Sequence, residues 1–271
     1  MALLVVVGLT FGAAGCSHST VAPHTARPTD SPPPAPTVLK ADGVLKFDSD
    51  GTLQLGGRIS GTVFVNKRLQ ELDLAVPTVM DAVGAKTEFA LLVTNSSRIL
   101  DRSGRPVPRS DMRTFLVDGP RGPRYWGPWI AEVRMQNAGL LLVELRPVAR
   151  QTSHLVCQNM FAPAVDGTVK LTGAWIGSGS ASSNMLAPLK LHEVDLEVPF
   201  VIDGVTAKAQ FALRITDKST VLDRSGRVVP RARQDNALAD NLLVATAVML
   251  NQRFAVVQLR VLGSADAYPW L

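Results

Sequence analysis

Two groups of side chains have types and spacing that could do chemistry. The first is the stretch Gly119 to Trp129, where Tyr125, Trp126 and Trp129 sit beside Arg121 and Arg124 on a backbone stiffened by Pro and Gly. Flat aromatic faces give stacking area at low entropic cost and guanidinium groups add donors, which is what a sugar- or polyanion-binding tip requires. A second role is open to the same loop: with Tyr268 and Trp270 of the C-terminal tail it could be buried at a domain junction, since exposed patches of this size are uncommon. The second group is arginine-rich. Leu100-Asp101-Arg102-Ser103-Gly104-Arg105 returns letter for letter as Leu222-Asp223-Arg224-Ser225-Gly226-Arg227, and Arg109 and Arg231 follow at the same distance. Three arginines in each place could cup an anion. The element meets the demands of a turn first: Asp101 or Asp223 can accept bonds from the backbone two residues on, and Gly104 or Gly226 supplies a positive φ.

Motifs for catalysis are scarce. The chain has no G-x-S-x-G elbow, no H-E-x-x-H, no glycine loop ending in Lys-Ser/Thr and no cysteine pair at metal spacing. Asp48-x-Asp50-Gly51 is a fragment of a calcium loop, but Lys46 and Gly57 fill ligand positions and exclude an EF-hand. His18, His24, His154 and His192 are scattered, and Cys157 reads as a buried packing residue. The expectation is therefore no metal, no cofactor and no catalytic residue, with a non-catalytic binding or scaffolding role toward cell-wall polysaccharide or another envelope protein. A glycan hydrolase using Asp111, Asp118 or Glu132 near the aromatic loop is the second reading.

The repeated hexapeptide is the centre of a longer internal match: positions 69–109 and 191–231 share 25 of 41 residues without a gap. Self-similarity of this strength means one unit carried twice. The flanks agree too, Asp50-Gly51-Thr52 answering Asp166-Gly167-Thr168 and Val143-Glu144-Leu145-Arg146 answering Val257-Gln258-Leu259-Arg260. The offset between copies runs 116, then 122, then 114 residues. It places a six-residue insertion in the second copy around Gly177 to Ser180 and an eight-residue insertion in the first between Ser110 and Ile130. Within each unit the periodicity is two. Val205, Ala207, Ala209, Phe211, Leu213 and Ile215 alternate with polar residues, and Val83, Ala85, Phe89, Leu91 and Val93 keep the same phase. Short alternating runs punctuated by tight turns predict an all-β chain, with an immunoglobulin-like antiparallel sandwich for each copy. Trp175 falls at a shared strand position and is expected in the core. The expected layout is a signal peptide over 1–15, a tether over 16–40, sandwich repeats over 41–150 and 164–263 joined by a linker over 151–163, and a tail over 264–271.

The head has its own chemistry. Ala2 to Gly15 is apolar apart from Thr10, too short to span a bilayer, and ends in Ala13-Ala14-Gly15-Cys16. These four residues resemble the lipobox of bacterial lipoproteins, and the composition resembles that of exported lipoproteins of high-GC actinobacteria such as mycobacteria. The resemblance implies cleavage before Cys16, acylation of its sulfur and anchoring on the outer face of the cytoplasmic membrane. No Lys or Arg precedes the apolar run, a departure from the usual signal, as it would be if the true start lay upstream. Ser17 to Thr37 is Ser-, Thr- and Pro-rich and reads as a tether of extended polyproline II character. The net charge of +5 suits anionic cell-wall polymers or lipid head groups better than nucleic acid.

Overall fold

A computed structural model describes residues 38–118, 127–150, 154–181 and 190–265. Cys16, Arg121, Arg124, Tyr125, Trp126, Tyr268 and Trp270 lie outside the described residues. The chain is all-β. Its strands are β1 (Leu39–Ala41), β2 (Thr52–Val65), β3 (Arg68–Met80), β4 (Val83–Leu92), β5 (Arg98–Ile99), β6 (Trp129–Gln136), β7 (Gly139–Pro147), β8 (Leu155–Cys157), β9 (Thr168–Ala181), β10 (Lys190–Ile202), β11 (Val205–Arg214), β12 (Thr220–Leu222), β13 (Asn241–Leu250) and β14 (Arg253–Ser264). The one regular helix among the described residues, α1 (Gln234–Leu238), has a single turn. No helix among them is long and apolar enough to cross a membrane.

Alternation in sequence becomes alternation in space. Along β3, Leu72, Leu74, Val76 and Met80 are buried while Glu71, Asp73 and Ala75 are half-exposed between them. Each such aliphatic side chain contributes about 1.5–3 kcal/mol when fully buried. Two-residue turns with both φ values positive join the hairpins: Asn66-Lys67, Asp81-Ala82, Asn137-Ala138, Asp203-Gly204 and Asn251-Gln252. Their twist matches that of the flanking strands. The first copy joins β2 to β3 by two residues, whereas the second copy spends 182–189 between β9 and β10. The six-residue insertion therefore belongs to that connection, just beyond the glycine-serine segment where the sequence placed it.

The sandwich expected for each copy is replaced by a closed barrel. In the first copy β2 pairs β3, β3 pairs β4, β4 pairs β7 in parallel, β7 pairs β6, and β6 returns to β2. In the second, β9, β10, β11, β14 and β13 form the same ring. This is a five-stranded Greek-key barrel of the OB kind. The physical reason lies in the first strand of each ring, which is long enough to change partners midway. Residues Thr52–Gly57 pair with β6 and Arg58–Val65 with β3. At the corner a Cβ on Gly57 would stand 2.6 Å from the Ala75 carbonyl oxygen, and one on the matching Gly173 would run into that of Glu197. Only glycine lets the strand bend so closely over its neighbour.

The two barrels are one continuous sheet with a pseudo-two-fold relation. The β10 edge left free by β9 is taken by β1, Leu39 opposite Phe200 and Ala41 opposite Ile202. The matching β3 edge is taken by β8, Leu155 opposite Thr78 and Cys157 opposite Met80. Each copy thus lends a short strand to the other. The turn aspartates lock the exchange. Asp203 accepts from the backbone N–H groups of Gly43, Val44 and Leu45, the last two at 2.9 and 2.6 Å, and Asp81 accepts from Met160 and Phe161 at 2.7 and 2.8 Å. Leu155–Cys157, within the segment expected to be a linker, is therefore part of the sheet. Phe161 then enters the second barrel, edge-on to Phe211 at 5.8 Å and Phe254 at 5.1 Å. Cys157 is buried, and desolvation, with Asp203 and Asp81 nearby, raises its thiol to about 11.

Candidate functional site

On the pseudo-two-fold axis β4 and β11 pair antiparallel, with Thr87 opposite Ala209, Lys86 opposite Gln210 and Glu88 opposite Lys208. The free N-terminal half of β4, which β7 does not reach, makes this junction possible. Pairing it removes an exposed edge that would otherwise template association. The result is a four-stranded platform, β3-β4-β11-β10. Its inner face is apolar apart from Thr87 and Thr78, whose hydroxyls bond at 2.8 Å.

The outer face carries charge. Asp73 of β3 and Asp195 of β10 are equivalent positions, as are Lys86 and Lys208. Burial pushes the Asp73 carboxyl up to about 6, helped by Glu88 and Glu71, and Lys208 acts against it. Burial and then Glu193 also raise Asp195, with Lys86 acting against the shift. Because folded Asp73 holds its proton more tightly than an unfolded aspartate, its ionisation opposes folding: stability falls as pH rises from about 4 to about 6. Asp73→Asn is expected to raise stability above pH 7 by on the order of 1 kcal/mol, after allowing for solvent screening at this half-exposed site. Denaturant midpoints measured from pH 4 to 8 would check this, and an unchanged pH profile would contradict it.

Near its centre the outer face departs from the two-fold at a pair of neighbouring positions, Ala75/Glu197 and Glu88/Gln210. Glu197 is buried and its Oε1 lies 3.1 Å from Lys208 Nζ, while Ala75 stands at the matching position beside Lys86. Glu88 matches Gln210, whose amide reaches back to Glu88 Oε2 at 3.4 Å. On the Ala75 side, where no Glu draws the lysine away, a cleft of about 590 Å3 opens between the barrels. Pro77, Val79 and Ile176 give it apolar walls, and Lys86, Asp195 and Gln210 bring an ammonium, a carboxylate and an amide to its rim. His154 lines it as well. Such a mixture in a cleft at a domain junction is characteristic of small-molecule sites.

No protein-family model matches the chain, and no curated protein sequence does. The site therefore has to be read from its own chemistry. Among the described residues no three His, Cys, Asp or Glu side chains gather where they could share a metal ion.

The residues singled out from sequence fall elsewhere. Trp129 is not part of an exposed tip. It opens β6, is 1% exposed and meets Phe115 edge-on at 6.1 Å. A strand residue facing the barrel interior has no solvent side, so the loop ends before it. Trp175 lies on β9, and its indole N–H, like that of Trp129, is buried with no partner among the described residues. The arginine elements are turns. Asp101 Oδ1 accepts from the Ser103 hydroxyl at 2.6 Å and from the Arg105 and Ser103 N–H groups at 3.0 and 2.8 Å, and these bonds, the hydroxyl's first, hold its carboxyl down to about 2. Asp223 likewise accepts from the Ser225 hydroxyl and the Arg227 N–H and is held at about 2. Arg105 and Arg227 fold back onto these aspartates at 3.3 and 3.2 Å. Arg109 bonds Asn95 and the Thr94 carbonyl, and Arg231 bonds Asp217, so both clamp the preceding turn. Arg102 and Arg224 sit in the exposed tips of their turns. Of the carboxylates considered for hydrolysis, Asp111 accepts from Ser110 in the turn Arg109–Asp111 and Glu132 stands opposite Glu144 on β7. Asp118 ends the short helical segment Thr114–Asp118. The platform residues Lys86, Asp195 and Gln210 were missed because each looks like an ordinary solvent-facing strand position. The sequence signals were Ala75 against Glu197 and Glu88 against Gln210 within a well-matched segment.

Proposed function

We propose that this protein is a membrane-anchored cell-envelope lipoprotein whose fused barrels act as one non-catalytic binding module for cell-wall glycan. The observation that carries the reading is the cleft at the barrel junction, with apolar walls and an ammonium, a carboxylate and an amide at its rim. Sugar rings present apolar faces and hydroxyl edges, so they match walls of this kind and the donors and acceptors above them. The faces of the second and third strands, which OB-type barrels use for oligosaccharides, are here joined into one surface. The Cys16 anchor and Pro-rich tether would hold that surface within reach of the wall. The test is a titration of the isotope-labelled protein with soluble cell-wall glycan fragments, followed by amide shifts. Residues 78, 79, 86 and 210–212 are expected to respond, and Lys86→Ala with Asp195→Asn is expected to weaken binding about tenfold or more. Binding that leaves those amides unmoved, or that ignores both substitutions, would remove the cleft from the proposal.

A further inference from the structure

The second barrel carries a pocket of about 310 Å3 where β10 begins and β11 ends, away from the junction. Lys190 and His192 of β10, Arg214 of β11, and Arg231, Asp217 and Gln234 beyond it furnish the walls. The first copy is furnished differently at the same places: Leu92 stands where Arg214 does, Gln70 where His192 does, and Met112 where Gln234 does. Two of these differences, at Arg214 and Gln234, put a cationic or polar group where the first copy is apolar, while Lys190 and Arg231 answer Arg68 and Arg109. Gln234 is 6% exposed, and its amide nitrogen donates to the Val229 carbonyl at 3.3 Å. A buried amide where the other copy keeps a methionine is costly without polar surroundings.

We propose that this pocket binds an oxyanion, a phosphate or a carboxylate, at a site the first barrel does not share. Three permanent cations, Lys190, Arg214 and Arg231, face one carboxylate, Asp217. That carboxylate is already taken, bonded at 2.5 Å by Arg231, whose second nitrogen holds the Asp217 carbonyl at 3.0 Å. Arg231 is thus already committed to Asp217. Lys190 and Arg214 form no ion pair within 4 Å among the described residues, although Glu193 stands opposite Arg214 across the ladder. The fork of Arg214 offers two parallel donors to two oxygens of one group, and Lys190 adds a point charge. An incoming oxyanion would receive both without displacing the Arg231 clamp.

The test uses the full chain, titrated with inorganic phosphate and separately with glucuronate at constant ionic strength, with amide shifts as the readout. Saturable shifts confined to residues 190–192 and 214–219 are expected. Arg214→Leu, which installs the residue the first barrel carries, is expected to weaken binding about tenfold, and Lys190→Gln to weaken it several-fold. Arg214→Gln serves if the leucine variant does not fold. The tighter of the two probes identifies the group as phosphate or carboxylate. Equal affinity in the Arg214 variant, shifts spread over surface lysines and arginines generally, or no saturation by either anion at tens of millimolar would overturn the proposal. Because the pocket does not depend on the cleft, Arg214→Leu is expected to leave any glycan response of residues 78, 79 and 86 intact.

Discussion

Phe89→Ala is expected to lower the melting temperature of the whole chain by on the order of 10 °C, in a single transition. Phe89 is fully buried in the first barrel, on the strand that pairs with the second. Truncating a buried phenylalanine costs about 3–5 kcal/mol through lost transfer free energy and the cavity left behind. In a chain of this size each kcal/mol moves the midpoint by about 2–4 °C. The cooperativity is the sharper part. The β4–β11 ladder and the reciprocal placement of β1 and β8 give each barrel backbone hydrogen bonds that the other must complete. Opening one barrel therefore strips strand partners from its neighbour. Calorimetry that resolves two transitions, with the second barrel melting at its wild-type temperature, would mean that the barrels unfold independently and that the shared sheet is energetically unimportant.

Asp203→Asn and Asp81→Asn should show how much of that coupling the turn aspartates supply. Asp203 accepts from three backbone N–H groups of the strand-exchange segment and Asp81 from two, and in both cases donor and acceptor belong to different copies. Hydrogen bonds to a charged acceptor contribute about 1.5–3 kcal/mol each, with partial exposure pulling them toward the lower end. The asparagine variants keep the positive φ that Asp203 and Asp81 adopt, so backbone strain does not confuse the comparison. The expected losses are about 3 kcal/mol for Asp203 and about 2 kcal/mol for Asp81, read from urea midpoints. Losses below about 0.5 kcal/mol for both would show that the exchanged strands stay in place without them.

Much was legible without coordinates because the signals involved are local. The match of 69–109 with 191–231 predicts two equivalent units, and the positions it pairs are structurally paired throughout: Asp81 with Asp203, Arg109 with Arg231, Ser97 with Ser219. Alternation at Val205 to Ile215 predicts a strand with one buried face, and β11 has one. The Asp-Arg-Ser-Gly tetrads predict tight turns, since a carboxylate two residues before a backbone donor and a glycine at positive φ are short-range requirements.

Which edge meets which was decided only by the tertiary structure. The same alternating strands would serve a sandwich or a barrel, because side-chain periodicity says which face is buried and nothing about backbone partners. Closure depended on Gly57 and Gly173, where the absence of one carbon lets a long strand cross from one neighbour to the next. Fusion of the barrels depended on the leftover edges of β3, β4, β10 and β11, which no window of sequence displays. The cleft and the cationic pocket follow from that assembly: their residues come from separate strands and connections, and each alone reads as an ordinary surface side chain. Sequence determined the repeated unit, its strands and its turns, since these rest on neighbours along the chain. Tertiary structure decided the rings, the exchange and the sites, since these rest on pairings between residues up to 161 positions apart, as Leu39 and Phe200 are.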